Sequence, residues 1–143
     1  MLNVKINLME GAKMPTYARK GDAGVDLYPL ENAFIAPRAK GVLIKTGISM
    51  EIPEGFELQV RPKSGNSIKT PLRVVLGTVD AGYRGEIGII IDNLSNKVIK
   101  VSKDKALAQG VFNRVYTVNF KISEMLNRSE RGKNGFGSTG RGL

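Results

Sequence analysis

The chain has 143 residues, of which 41% are hydrophobic, and this size and content fit one domain with a packed core. It contains no cysteine and no histidine, which excludes disulfides, thiolate catalysis, the Ser-His-Asp triad and the usual zinc sites. The formal net charge of +9 suits a nucleic acid, a small polyanion such as a nucleoside triphosphate, or a solvated basic surface.

The composition also limits the chemistry and the location of the protein. A metal ion would have to be a hard cation held by oxygen atoms, and a general base would have to be a carboxylate, a lysine or a tyrosine. The longest apolar run, residues 87–91, is too short to span a bilayer, and the N-terminus lacks the features of a signal peptide. We therefore expect a cytoplasmic protein with no membrane partner.

Most of the chain predicts short strands separated by turn residues. The predicted strands cover residues 4–8, 25–28, 41–45, 48–52, 56–60, 87–92, 98–101, 110–112 and 115–121. A short helix is expected near Ser67 and Ile68, and the segment 51–56 is typical of a hairpin connection. This pattern predicts an all-β fold, a jelly-roll-like barrel or sandwich with at most one short helix.

The last thirteen residues, 131–143, differ in composition from the rest, because five of them are glycine. Such a segment cannot bury enough surface to order itself, so we expect a flexible arm that a ligand or partner holds in place. A frayed terminus is the alternative. The predicted organisation is a β-barrel domain over 1–130 and a C-terminal arm over 131–143.

Two internal segments carry residues suited to phosphate chemistry. In 61–65, two cations flank a proline, and Ser64 and Gly65 offer a hydroxyl and an accessible amide, although basic turns are common on surfaces. In 77–86, three glycines surround Asp80 and Tyr83. Asp80 is either a turn residue or a base beside a nucleoside pocket.

Five segments in this order resemble the five motifs of the trimeric dUTPase family, whose fold is of the β-clip type. They are Ala23-Gly-Val-Asp-Leu-Tyr28, Arg61-Pro-Lys-Ser-Gly65, Gly77-Thr-Val-Asp-Ala-Gly-Tyr-Arg-Gly-Glu86, Lys103-Asp-Lys-Ala-Leu-Ala-Gln-Gly110 and Arg131-Gly-Lys-Asn-Gly-Phe-Gly-Ser-Thr-Gly140. The resemblance implies Mg²⁺-dependent hydrolysis of dUTP to dUMP and pyrophosphate, which lowers dUTP and supplies dUMP for thymidylate synthesis. It also implies a homotrimer whose active sites are shared among subunits.

The resemblance assigns a role to each matching residue. Asp80 would orient and deprotonate the water that attacks the α-phosphorus, and Tyr83 would exclude a ribose 2′-hydroxyl. Asp26 would lie near the water shell of a Mg²⁺ ion held mainly by the triphosphate, or would orient a cation of the second motif. The uracil would be read by the backbone of Thr78, Val79 and Gly88. The phosphates would be held by Lys63, Ser64, Gly65 and Gln109. The arm would close over the substrate through Arg131, Phe136, Gly137, Ser138 and Thr139, with Phe136 stacked on the uracil.

Three positions depart from the family pattern, at Lys63, near Val74 and at Asn134, which stands where the arm frequently has glycine. Two other functions compete with the one that the resemblance implies. Family members usually carry arginine where Lys63 stands, and lysine lacks the planar fork of arginine. An asparagine is common near Val74. The alternatives are an enzyme related to dCTP deaminases and a non-catalytic basic binding protein of the same fold. No nucleic-acid partner is expected, because aromatic residues make up only 6% of the chain and form no interleaved basic-aromatic face.

Overall fold

The computed structural model describes residues 1–136, 138 and 140. Within them the chain forms eleven strands and one short helix. The elements are β1 (Lys5–Leu8), β2 (Val25–Leu27), β3 (Ala33–Ile35), β4 (Val42–Lys45), β5 (Ile48–Glu51), β6 (Phe56–Pro62), α1 (Ser64–Lys69), β7 (Leu72–Val74), β8 (Gly77–Val79), β9 (Gly88–Asn93), β10 (Ile99–Val101) and β11 (Ala108–Arg114). The predicted all-β class with one short helix is confirmed.

The strands pair in four antiparallel sheets. The largest has the order β2-β11-β6-β8, a second has the order β4-β9-β7, and two ribbons pair β1 with β5 and β3 with β10. Since most neighbours are far apart in sequence, the fold depends on long-range pairing. The helix of the described part of the chain is too short to cross a membrane.

The core lies between these sheets and is almost entirely aliphatic. In β9 the side chains of Ile89 and Ile91 are fully buried, while Ile90 between them is exposed, as the two-residue period of a strand requires. Leu58 and Val60 make the same contribution from β6. The buried polar side chain of Asn93 donates to the carbonyls of residues 35, 36 and 97, so its burial leaves no donor without a partner.

The sequence did not predict β3, β7 and β8, and two further details differ from the expectations drawn from it. The turn at 53–55 forms, with Phe56 N–H donating to the Pro53 carbonyl at 3.2 Å, but it is not a hairpin. It joins β5, which pairs with β1, to β6, which pairs with β11 and β8, so the chain changes sheets there. The strand predicted over 115–121 is wrong for this chain, because β11 ends at Arg114.

Residues 115–130 are exposed throughout and belong to no strand or helix. The segment nevertheless carries large apolar side chains, among them Phe120, Ile122 and Leu126, which are each about nine-tenths or more exposed. The packed body therefore ends near Arg114. The boundary expected at residue 130 stays a prediction.

Candidate active site

One cavity of about 270 Å³ collects the residues expected to face the nucleoside. Its lining includes Thr78 and Val79 of β8, then Asp80 and Tyr83 from the turn that follows, and Gly88 at the start of β9. These five residues were predicted from two segments of the sequence, and the structure brings them together.

The turn after β8 places Asp80 at the mouth of this cavity. Val79 is buried opposite Leu58 of β6, which fixes the end of β8. The chain then reverses, with Tyr83 N–H donating to the Asp80 carbonyl at 3.0 Å. Asp80 itself is exposed. A carboxylate held on a short turn beside a cavity can hold a water molecule against a bound ligand.

Another part of the cavity lining is apolar, and the glycine at position 88 leaves space beside it. A Cβ at Gly88 would overlap the Leu43 side chain, so the glycine lets Leu43 keep its present position against the start of β9. Leu43 and Ile90 line the cavity and are 60% and 38% exposed. Such a surface suits the flat face of a base.

The residues expected to hold phosphate form a second group, at the other end of β6. Lys63 directly follows β6 and donates to the Asp26 carboxylate of β2. Gln109 of β11 lies opposite Asp26, and its side-chain amide donates to the Pro62 carbonyl at 2.9 Å. Ser64 and Gly65 begin α1 beside them, with open space where a Gly65 side chain would lie. The structure thus also brings this predicted set together.

The Asp26–Lys63 ion pair bears on the two roles expected of Asp26. The side chains are 17% and 30% exposed, so the carboxylate is held in a partly dry place and its visible partner is the ammonium group. Within the described residues no group of three or more acidic side chains could hold a metal ion. The donor set therefore fits a cation carried by a polyanionic ligand better than one held by the protein alone.

Gly24 is a site residue that the sequence reasoning missed. A Cβ there would lie 2.7 Å from Oε1 of Gln109, which real Cβ atoms essentially never approach, and 3.1 Å from Val111 Cγ2, which is a tight contact. The glycine therefore makes the room in which the Gln109 side chain lies. Its position two residues before Asp26 in the first motif was the available signal.

Gly24→Ala should displace Gln109 and weaken substrate binding. We expect KM to rise about tenfold with little change in kcat, the cost of one misplaced hydrogen-bonding group. Steady-state kinetics on Gly24→Ala, Gln109→Ala and the double variant test this. Because both changes act through the same side chain, the double variant should be no worse than Gln109→Ala. Additive losses would contradict the explanation.

The two groups are well separated within one chain. Val79 lies opposite Leu58, and Lys63 is five residues farther along, which spans about 16 Å at the rise of a strand. Asp80 continues in the opposite direction, so its distance from Lys63 is greater still. Lys63 lines a different cavity, of about 380 Å³, together with Val74, Lys100 and Lys105. Val74 thus lies away from the nucleoside cavity.

A salt bridge ties the loop of the fourth motif to the N-terminal part of the chain. Lys13 Nζ lies 2.9 Å from Asp104 Oδ1, and this ammonium group lowers the pKa of the carboxyl below its ordinary value. Lys103 contributes to the same direction. Both partners are substantially exposed, so solvent screens the pair and it stabilises the loop only weakly.

The arm residues within the described part of the chain are exposed and contact one another locally. Arg131 Nε donates to the Asn134 carbonyl at 2.9 Å, and Ser138 N–H donates to the Gly135 carbonyl at 3.0 Å. Phe136 is fully exposed and adopts a positive φ of 50°. The structure of this chain does not bring these three expected ligands to either group. Gly137 and Thr139 lie outside the described residues.

The chain is similar to known proteins over nearly its whole length. The dUTPase family model matches residues 10–140. The deoxyuridine 5′-triphosphate nucleotidohydrolase of Clostridium tetani is 49% identical over 98% of this chain and 97% of its own. The protein of that name from Clostridioides difficile is 46% identical over 98% and 99%.

Solved structures agree. The dUTPase of Staphylococcus bacteriophage 80alpha with dUpNHpp is 32% identical and superimposes with a TM-score of 0.88 over 95% of this chain and 97% of that one. A dUTPase variant of phage phi11 of S. aureus, described with a structural Mg(II) ion, has 30% identity and a TM-score of 0.78 over 86% and 97%. With a family model that spans both residue groups and relatives aligned end to end, this chain belongs to the dUTPase family.

Proposed function

We propose that the protein hydrolyses dUTP to dUMP and pyrophosphate by attack of water on the α-phosphorus. The observation that carries this proposal is the single cavity lined by Asp80, Tyr83 and the backbone of 78–79 and Gly88, in a chain of the dUTPase family. The proposed place of action is the cytoplasm, or the interior of the host cell if a virus encodes the chain.

Asp80 acts as the catalytic base in this proposal. Its exposed carboxylate accepts a proton from a water molecule held between it and the α-phosphorus. Since a carboxylate is a weak base, most of the rate comes from positioning the water and neutralising charge on the phosphates. The leaving group is pyrophosphate, and the proton of the water moves to Asp80.

Selectivity for the nucleoside comes from the walls of the same cavity. The backbone N–H and C=O groups near Thr78, Val79 and Gly88 face the edge of the uracil, where a donor opposed to the exocyclic amine of cytosine is repelled. Leu43 and Ile90 cover the base. Tyr83 packs against the deoxyribose and leaves no room for a 2′-hydroxyl.

The phosphates are held by the second group. Lys63, Ser64, Gly65 and Gln109 supply an ammonium group, a hydroxyl, a backbone amide and a side-chain amide. Asp26 keeps Lys63 in place, and its carboxylate would be the group that accepts a hydrogen bond from a water of a Mg²⁺ ion carried by the triphosphate. When bound by the triphosphate, Mg²⁺ neutralises charge on the phosphates. Because Lys63 lacks the planar guanidinium group of arginine, it binds phosphate less tightly than an arginine at this position would.

The separation of the two groups supports a homotrimer with shared sites. Asp80 must reach the α-phosphorus while Lys63 reaches the same triphosphate, yet about 16 Å or more lies between them along β6 of one chain. Two copies that present opposite ends of β6 to one another resolve this. The exposed apolar side chains of 115–126 give each copy a segment to pack on a neighbour.

The arm closes the site of a neighbouring copy. Phe136 is exposed and would stack on the uracil, and the arm sequence also supplies Arg131, Gly137, Ser138 and Thr139 as the groups that would bind the β- and γ-phosphates. An arm that orders on the substrate excludes water during the reaction and then releases the product.

Pyrophosphate release from dUTP, dCTP, dTTP and UTP, each with Mg²⁺ or with EDTA, tests the function. We expect turnover of dUTP alone, and its loss on removal of the metal. Ammonia release from dCTP tests the related deaminase function. Equal turnover of dCTP and dUTP, or no turnover of any nucleotide, would refute the proposal.

A further inference from the structure

Gly85 and Glu86 lie one residue beyond the turn that Asp80 and Tyr83 close, and both are next to the Tyr83 side chain. Tyr83 is 46% exposed, so no side chains of the described residues pack against the solvent-facing part of its ring to fix it. A side chain that discriminates by clashing with one extra hydroxyl must be held against being pushed aside, since a clash that the protein can relieve excludes nothing.

Gly85 determines how close the ring lies to its own turn. A Cβ at this position would lie 2.5 Å from Tyr83 Cζ and 2.9 Å from Cε2, and would also overlap the hydroxyl. Such distances are well inside van der Waals contact. The ring occupies its present position only because residue 85 has no side chain.

Glu86 is hydrogen-bonded both to the Tyr83 hydroxyl and to the turn between β4 and β5. Its carbonyl accepts from the Tyr83 hydroxyl at 3.0 Å, while its carboxylate oxygen Oε1 accepts from the Gly47 N–H at 2.8 Å. The side chain is partly buried and lines the nucleoside cavity. Glu86 thereby connects the ring to the turn between β4 and β5.

The β4–β5 turn, which Glu86 contacts at Gly47, is itself held in place by packing and hydrogen bonds. Gly47 has a φ of +70°, and a Cβ there would lie 2.9 Å from both Ala12 Cβ and Leu30 Cδ1. The Gly47 carbonyl accepts from Met9 N–H at 2.8 Å. Ile87, which directly follows Glu86, is also bound to this part of the chain, because its N–H donates to the Ile48 carbonyl at 2.7 Å. The anchor therefore does not move with the ring.

We propose that Gly85 and Glu86 are positioning residues that set the selectivity of the site for the sugar, by fixing the Tyr83 ring against the β4–β5 turn. The inference rests on the proposed function, in which the Tyr83 ring excludes a 2′-hydroxyl. It assigns the selectivity to Tyr83, Gly85 and Glu86 together rather than to the tyrosine alone.

The test compares kcat/KM for dUTP and UTP in six proteins, with one control variant and one double variant beside them. Besides the unmodified protein they are Tyr83→Ala, Tyr83→Phe, Glu86→Ala, Glu86→Gln and Gly85→Ala. Glu86→Ala should lower the ratio of dUTP to UTP turnover at least about tenfold, because the backbone carbonyl that holds the ring is then no longer tied to the Gly47 N–H through the carboxylate. Glu86→Gln keeps an acceptor oxygen for Gly47 N–H and should retain most of the ratio. Glu31→Gln, on an exposed acidic residue outside the site, should match the unmodified protein.

The remaining variants separate positioning from general damage. In a Tyr83→Ala background, Glu86→Ala should change the ratio no further, since there is no ring left to position. Should Glu86→Ala fail to fold, Gly85→Ala and Tyr83→Phe test the same claim: the first must displace the ring and the second removes the hydroxyl that Glu86 holds. Both should lower the ratio, Tyr83→Phe by less.

The outcomes distinguish this inference from the proposed function. If Tyr83→Ala collapses the ratio while Glu86→Ala and Gly85→Ala leave it unchanged, the inference is wrong and the proposed function stands. If the unmodified protein turns over UTP as well as dUTP, the proposed function fails with it.

Discussion

Replacing Asp80 by asparagine is expected to lower kcat for dUTP at least about a thousandfold, because the amide cannot accept the proton of the attacking water. The change is nearly isosteric, and Asp80 is an exposed turn residue whose backbone carbonyl, rather than its carboxylate, closes the turn. The fold and the affinity for dUTP should therefore survive. Pyrophosphate release and dUTP binding by calorimetry measure the two effects separately.

Asp22 provides a matched control for this prediction. It too is an exposed turn aspartate, and its carboxylate accepts from Arg19 N–H at 2.8 Å, far along the chain from the nucleoside cavity. Asp22→Asn should retain full turnover. If Asp80→Asn keeps more than about a tenth of the rate, another group serves as the base and the mechanism proposed for Asp80 is wrong.

Deleting residues 131–143 is expected to lower kcat/KM for dUTP on the order of 100-fold. The deletion removes the aromatic ring proposed to stack on the base and the cation and hydroxyls proposed to hold the outer phosphates. The melting temperature should change little, because the packed core ends with β11 at Arg114. Steady-state kinetics and thermal unfolding of the truncated protein test both statements.

A single substitution refines the truncation result. Phe136→Ala removes only the ring, which is exposed in this chain, so its effect should be smaller, about tenfold on kcat/KM through lost stacking. A truncated protein with the full rate would show that the arm does not close the site. A truncated protein that unfolds at a much lower temperature would show that the arm belongs to the packed body.

The sequence predicted most of the strands, but it missed three short strands and predicted one that does not form. The strands β3, β7 and β8, of three residues each, were missed, while β2 and β10 are as short but lie within the predicted strands 25–28 and 98–101. Residues 115–121 have the β-branched and aromatic composition of a strand, but among the described residues they pair with no strand, and Val115 N–H only continues β11 by one bond to the Gly55 carbonyl. A strand needs a partner. The turn at 53–55 was correct locally, yet its two strands belong to different sheets.

The two residue groups of the site were predictable because their chemistry is local to short motifs. Asp80 and Tyr83 come from one segment of ten residues, and Lys63 and Ser64 from another. Their separation along β6 was not predictable, since it depends on the register of β8 against that strand. The contacts of Gly24 with Gln109 and of Glu86 with Tyr83 and Gly47 were also missed, because they join residues whose side-chain positions only the fold supplies.

The central claim is that each active site combines Asp80 of one copy with the phosphate-binding group of another. It is tested by mixing Asp80→Asn protein with Lys63→Ala protein, each nearly inactive alone, and co-refolding them in equal amounts. If the groups come from different copies, random assembly gives about a quarter of the sites both intact residues, so about a quarter of the full activity should return. If both groups act within one chain, no site regains them together, and a mixture that stays inactive would contradict the claim.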